Sequence, residues 1–306
     1  MTLVEAAKLN TTDVVKSAII EMYARASDVL RVLPFESIPG NAVRYNQEAA
    51  LPGVAFRGIN EAYTESTGIL NPVMDPVVIA GGDLDVDNYI IQTQGEGTRT
   101  THENLKVKAL AHLWTTKFIK GDSESDPREF DGLQKRLVGS QLIAAGSTSG
   151  GDALSLAKLD EAIDQVDEPT HLVMSRAMRR LMTSAARNPS VTGYITYGQD
   201  EFGRQISKYN DLPILTTDGR GQTPVLAFNE VNPGGGSNVG TSIYVVDMME
   251  GMLNGIQNGE MDVRDLGEID TKPVHRTRVE WYAGLTVYHG RAAARLYGIK
   301  NATVTV

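Results

Sequence analysis

Between Ser37 and Pro72 the chain does not carry enough apolar residues to hold a structure by itself. Proline and glycine recur there, at Pro39, Gly40, Pro52, Gly53, Gly58, Gly68 and Pro72. Between them lie short alternating runs, Ala42-Val43-Arg44-Tyr45-Asn46 and Val54-Ala55-Phe56-Arg57. Such runs predict a long two-stranded hairpin with polar, charged flanks. An isolated hairpin is marginal in water. This one therefore needs a partner surface, in this chain or in another.

The rest of the chain provides ordinary core material. Its 306 residues, 41% hydrophobic and 22% charged, suffice for one large domain or two modest ones. Upstream, Thr11-Thr12-Asp13 caps a predicted helix from Val14 to Leu30 that Pro34 ends. Downstream, strand chemistry runs through Val77–Ala80, Leu84, Val86 and Tyr89–Ile91. The strongest helix signal spans Thr101 to Lys120, with Val107, Leu110, Ala111, Trp114 and Phe118 on one stripe and Lys117 and Lys120 in its last turn. A short helix is expected over Asp131–Leu142, and a Gly-Ser-Thr boundary at 146–151.

Beyond that boundary the texture is α/β. A helix over 154–167 precedes a buried strand His171–Met174, and Ser175 caps a helix to Arg187. Strands are expected at Pro213–Thr216, Val225–Phe228 and Ser242–Val246. A long alternating strand follows, with Val279, Trp281, Ala283, Leu285 and Val287 on one face, predicted to pack on a helix. A short Ala-rich piece, Arg291–Leu296, leads to the last strand.

Several function classes drop out. The absence of cysteine excludes disulfides and thiolate chemistry. A net charge of −9 argues against broad, sequence-independent nucleic-acid binding, though it leaves room for a local basic patch. No run is long and apolar enough to span a bilayer, and the N-terminus lacks a secretory pattern. Asp83-Leu84-Asp85-Val86-Asp87-Asn88 begins like a calcium loop, but Asn88 and Gln94 stand where glycine and glutamate belong, so it reads as a solvated or interface strand face. Gly234, Gly236 and Gly240 lack the strand and helix of a dinucleotide turn, and Gly146–Gly151 lacks the lysine of a phosphate loop. Ser155 and Lys158 match Ser-x-x-Lys but have no Lys-Thr-Gly partner. The histidines at 102, 112, 171, 275 and 289 are dispersed, without metal-ligand spacing. No catalytic, cofactor or metal site is expected.

The order of parts resembles the major capsid proteins of tailed bacteriophages, an α+β fold of the Hong Kong 97 type. The likeness rests on the hairpin, on Pro76 to Val86 leading into the long helix, on Leu156–Ile163, His171–Leu181 and Leu212–Leu215, and on Arg278–Leu285 followed by Arg291–Leu296. It implies an N-terminal arm over 1–36 and an E-loop hairpin over 37–72. It implies a peripheral domain with a spine helix (73–140 and 256–290) and an axial α/β domain (141–255 and 291–306). The implied function is a structural one, a homo-oligomer of pentamers and hexamers forming the icosahedral capsid of a virion. That shell is assembled in the bacterial host cytoplasm around double-stranded DNA, which is held without sequence specificity.

Scaffolding, portal and decoration proteins are the implied further partners, with scaffolding supplied by a separate protein. On this resemblance Arg44, Glu48, Arg57, Glu61 and Glu65 are candidates for contacts between subunits. The type member joins a hairpin lysine to a neighbour's asparagine. Here no lysine lies between Lys16 and Lys106, so no covalent chainmail is expected. Two other readings stand beside this one. One is an encapsulin-type compartment shell with enzyme cargo. The other is an α/β enzyme using the 150–250 region, with Asp218, Asp247 and His289 near strand ends.

Overall fold

The computed structural model describes residues 2, 26–50, 52–63, 65, 69–95, 97–146, 150–187, 195–199, 205–218, 223–231 and 240–305, with backbone alone at 48–50 and 69. The expected helix from Val14 therefore lies outside the described residues up to 25. The Gly234–Gly236 loop and residues 147–149 of the 146–151 boundary lie outside them too. In chain order the elements are α1 (Asp28–Val32), β1 (Phe35–Ser37), β2 (Ala42–Ala50), β3 (Ile69–Pro76), β4 (Val78–Asp87), α2 (Asn88–Gln94), α3 (Gly97–Lys120), α4 (Leu133–Arg136) and β5 (Leu142–Ala144). There follow α5 (Leu156–Asp164), β6 (His171–Met174), α6 (Arg176–Ala185), β7 (Ile195–Gln199), β8 (Gln205–Tyr209), β9 (Leu212–Thr216), β10 (Gly240–Val246), β11 (Leu253–Gln257), β12 (Asp262–Ile269), β13 (Lys272–Val287) and β14 (Ala293–Lys300).

Strand β13 organises a five-stranded sheet. It pairs antiparallel with β4 on one side. On the other it pairs first with β12 and then with β11, to which β1 adds in parallel. Its alternation puts Val279, Trp281, Ala283, Leu285 and Val287 in the core, as the sequence predicts. The stripe of α3 packs on that face, and Trp114 stacks near Phe118 and against Trp281 and Phe35. Phe35 in turn meets Trp281 at a centroid distance of 5.1 Å.

β4 runs through Gly81-Gly82, where a Cβ on Gly81 would stand 2.4 Å from the Val279 carbonyl oxygen, so glycine permits the close approach of β13. Two local expectations change here. Tyr89–Ile91 belong to helix α2 rather than a strand, since the Asp87 carboxylate accepts the Tyr89 N–H and caps it. Helix α3 begins at Gly97 rather than Thr101, and the Thr101 hydroxyl donates to the Gly97 carbonyl.

The second sheet has seven strands in the order β5-β14-β10-β6-β9-β8-β7. Helices α5 and α6 cover one face, where Leu156, Leu159, Met178 and Met182 meet Leu172, Ile214, Val245 and Leu296. The alternate residues Val173, Leu215, Tyr244, Val246 and Ala293 join the core that contains Trp114 and Trp281. Burial on both faces explains why β10 reads as a continuous apolar run. Ser175 caps α6 as expected, its hydroxyl accepting the Met178 N–H at 3.1 Å. Val225–Phe228 is not a strand; Val225 and Leu226 plug the core from a turn. The expected Ala-rich piece is largely the start of β14 itself. Its alanines are buried, which small side chains permit between two closely packed faces.

Helix α1 joins the two sheets. Val29, Leu30 and Leu33 are fully buried, Asp28 accepts the Thr216 hydroxyl at 2.6 Å, and Ser27 meets Thr115 of α3 at 2.8 Å. His171 lies at this joint, where burial first and the charge of Arg31 second pull its pKa from 6.5 to about 4. The native state thus holds a neutral imidazole, and the unfolded chain binds a proton sooner. This contribution to stability is complete above about pH 6.5 and is lost as pH falls towards 4, with a slope of at most about 1.4 kcal/mol per pH unit. We expect His171→Asn to flatten that part of the pH–stability curve, measured by urea unfolding between pH 4 and 7. An unchanged slope would show that the histidine plays no part.

Candidate assembly interface

The hairpin expected from the proline- and glycine-rich stretch exists, but with different partners. β2 pairs antiparallel with β3 from Ala42↔Pro76 to Ala50↔Ile69, whereas Val54–Arg57 lies in the connection. The prolines of β3 do not end it, because each strand of a two-stranded ribbon has a free edge where a missing N–H goes unfelt.

Among the described residues the ribbon is tied to the body at its base. Arg136 of α4 forms a 2.8 Å ion pair with the buried Asp75 of β3 and donates to the carbonyls of Asp131 and Leu285. The Tyr45 hydroxyl lies 2.9 Å from Asp75 and 2.8 Å from the Val287 carbonyl, and its ring meets Tyr288 edge-on at 4.9 Å. Burial, then the Asp75 charge, push the Tyr45 phenol above its ordinary pKa, so it stays a donor.

At the far end the charged side chains turn inward on the hairpin. The Arg57 guanidinium donates to the Glu61 carbonyl at 3.0 Å and sits 5.0 Å from the Tyr63 ring. The Glu61 carboxylate accepts the Gly58 N–H at 2.8 Å. Val54, Phe56 and Ile59 are each 95% or more exposed. The five sequence candidates therefore separate. Arg44 is exposed on the ribbon beside Met74, its cross-strand partner. Glu48 pairs with Leu70 through its backbone, and its side chain lies outside the described residues. Arg57 and Glu61 hold the tip, and Glu65 is exposed. Sequence reasoning counted Val54 and Phe56 as strand alternation and passed over them as contact candidates; a run of apolar side chains in a loop was the signal.

On the outer face of the first sheet, charges pair across strands. Arg278 holds Asp83, and Arg276 holds Asp85, in two-pronged contacts of 2.6–2.9 Å. These guanidinium hydrogen bonds keep both carboxyls below the usual range. The three aspartates thus read as a strand face plus the α2 cap. Among the described residues no group of three His, Asp or Glu is placed to hold a metal ion.

No family model and no curated protein matches the sequence. Solved structures do. The SrpI encapsulin of Synechococcus elongatus aligns with a TM-score of 0.65 at 16% identity, over 91% of this chain and 89% of that one. A chain of Mycobacterium phage Adephagia aligns with a TM-score of 0.62 at 12% identity, covering 92% and 90%. The capsid of the native GTA particle gives 0.60 at 14%, covering 89% and 90%. The chain has the Hong Kong 97-type capsid fold.

Within a Hong Kong 97-type fold the enzyme reading loses its geometry. β9 ends beside Met174, at the end of β6, whereas β10 ends beside His171, at its start. Asp218 and Asp247 therefore stand at opposite ends of the seven-stranded sheet. Asp218 accepts the N–H groups of Arg176 and Val225. Asp247, its pKa raised by burial, accepts the Met249 N–H. His289 faces Asp167 at 3.5 Å. Ser155 precedes α5, and Lys158 is ion-paired with Glu161 at 2.5 Å. Asp247 and His289 both lie near Asp167, with one Asp247 carboxylate oxygen buried without a partner, and Asp218 stands apart from them.

The hairpin anchor makes a test. Arg136→Leu strips a buried carboxylate of its partner, which destabilises by about 3–5 kcal/mol. Pairing it with Asp75→Asn should recover much of that loss. Urea unfolding measures both, and limited proteolysis should show the single variant cut first near the hairpin base. Equal stability of single variant and parent would mean that the ion pair does not hold the ribbon.

Proposed function

We propose that the chain is the major capsid subunit of a tailed bacteriophage, assembling as pentamers and hexamers into an icosahedral shell around double-stranded DNA. The observation that carries the reading is the hairpin: anchored at its base, it ends in Val54, Phe56 and Ile59 almost fully in water. Burying three such side chains is worth about 1.5–3 kcal/mol each. A second copy is the surface that gains this burial in every subunit, with Arg44 and Glu65 as accompanying polar contacts. Glu48, Arg57 and Glu61 complete the proposed contact set, the last two by shaping the tip.

In this reading the arm covers 1–36, and the peripheral and axial domains correspond to the five- and seven-stranded sheets. The proposed bounds are 73–140 and 256–290 for the former and 141–255 and 291–306 for the latter; β11 (Leu253–Gln257), a strand of the first sheet, straddles the proposed junction. Separate scaffolding, portal and decoration proteins are the remaining proposed partners. The likeness to the SrpI encapsulin supports a second reading, a compartment shell. Purified particles discriminate, since a phage head holds DNA and a compartment holds protein cargo.

Replacing residues 52–65 by a short Gly-Ser turn should leave a folded subunit with unchanged circular dichroism and no particles in negative stain. Normal shells from that variant would refute the proposal. With no hairpin lysine, wild-type particles should dissolve to a single monomer band on a denaturing gel, and a ladder of linked subunits would contradict this.

A further inference from the structure

Helix α6 carries positive charge that no carboxylate pairs with among the described residues. Arg176, Arg179 and Arg180 lie in it and Arg187 follows it, while the helix itself contains no acid. Met178, Met182 and Ala185 face the sheet. At 3.6 residues per turn Arg180 lies on the opposite side, with Arg179 beside it and Arg187 just past the helix; Arg180 and Arg187 are exposed, Arg176 and Arg179 are half-buried, and the Nε of Arg176 is buried without a partner. Elsewhere Arg99, Arg136, Arg276, Arg278 and Arg295 each sit against a carboxylate. Among the described residues none of the four α6 arginines has an ion pair.

The arrangement is unfavourable for the helix alone. Like charges three and four residues apart repel, and Arg176 and Arg179 lie in the first turn, where the helix dipole disfavours cations. Asp218, at this end, is engaged by the Arg176 and Val225 N–H groups. An external polyanion would relieve both penalties. An aromatic ring lies on the same side. Ile195 and Tyr209, cross-strand partners, sit in the core beneath the helices. Alternation along β7 brings Tyr197 to that side as well, and it is 54% exposed.

A carboxylate surface on another copy fits less well. Of the three acids of α5, Glu161 is engaged by Lys158 and Asp160 by the Tyr209 hydroxyl, which leaves Asp164, and Asp167 beyond the helix is engaged by Arg291. A row of arginines with an exposed aromatic ring suits phosphates and a stacked base.

We propose that the outward face of α6, with Tyr197, binds the phosphate backbone of the nucleic acid that the shell encloses. The source of that nucleic acid rests on the shell reading; the binding itself does not. The test uses unassembled full-length subunits with a fluorescein-labelled DNA duplex and, in parallel, a labelled oligothymidylate that offers unpaired bases to Tyr197, each titrated at several salt concentrations. The expected result is salt-sensitive binding by the wild type. Arg179→Gln/Arg180→Gln/Arg187→Gln should weaken it by about tenfold or more at low salt, and flatten the log–log salt slope by about 2. Tyr197→Leu should weaken binding of the oligothymidylate without changing that slope. Circular dichroism and elution volume report whether the variants fold.

Three results would overturn the proposal. One is no binding by the wild type at low salt. The second is equal binding by the triple variant. The third is lost assembly with oligonucleotide affinity intact, which would make the stripe a contact between copies. Failure of the wild type to form particles would remove the shell reading, and the titration would still decide whether the stripe binds nucleic acid.

Discussion

The contact between one face of β13 and the apolar stripe of α3 supports everything else in the molecule. The chain has two tryptophans, and both are here, joined by Phe35, Phe118 and Phe130. Truncating one such ring to alanine typically costs about 3–5 kcal/mol, against a total stability of about 5–15 kcal/mol for a folded protein. β13 pairs with β4, β11 and β12, so this packing also fixes the positions of those strands. The same core continues beneath the second sheet through Val173, Leu215 and Tyr244. The two sheets therefore share one interior, with α1 wedged between them.

From that rigid centre the hairpin projects under different physics. Two strands with few inward residues gain little from their own pairing, so position comes from the base, where Asp75, Arg136 and Tyr45 tie the ribbon to the end of β13. An anchored base with an apolar tip in water separates two tasks. The subunit sets the direction of the ribbon, and whatever receives the tip supplies its burial. That division is what a shell subunit requires, because a tip that packed on its own body would have nothing left with which to join a neighbour.

Charge follows a similar division. Across β4 and β13 acids and arginines neutralise one another in register, which makes that face neutral and locally ordered while each exposed pair adds little to stability. Arg295 and Glu230 do the same in the interior. Helix α6 departs from this pattern, since its arginines have no ion pair among the described residues.

Periodicity in the sequence determined much of the framework. The stripe of α3, the alternation of β13, the α5–β6–α6 succession and the Ser175 cap were all legible, because each is a local pattern of one residue type on one face. Tertiary structure alone decided the rest. β3 tolerates two prolines only because it borders a free edge. Tyr89–Ile91 coil into a helix because Asp87 accepts an N–H there. β11 and β12 form because β13 offers them edges, and their own residues do not announce it. The candidate interface divides in the same way. That a hairpin existed followed from composition. That its charges fold back on the tip while Val54, Phe56 and Ile59 face water depended on side-chain contacts set by the path of the chain in space, which spacing along the sequence does not encode.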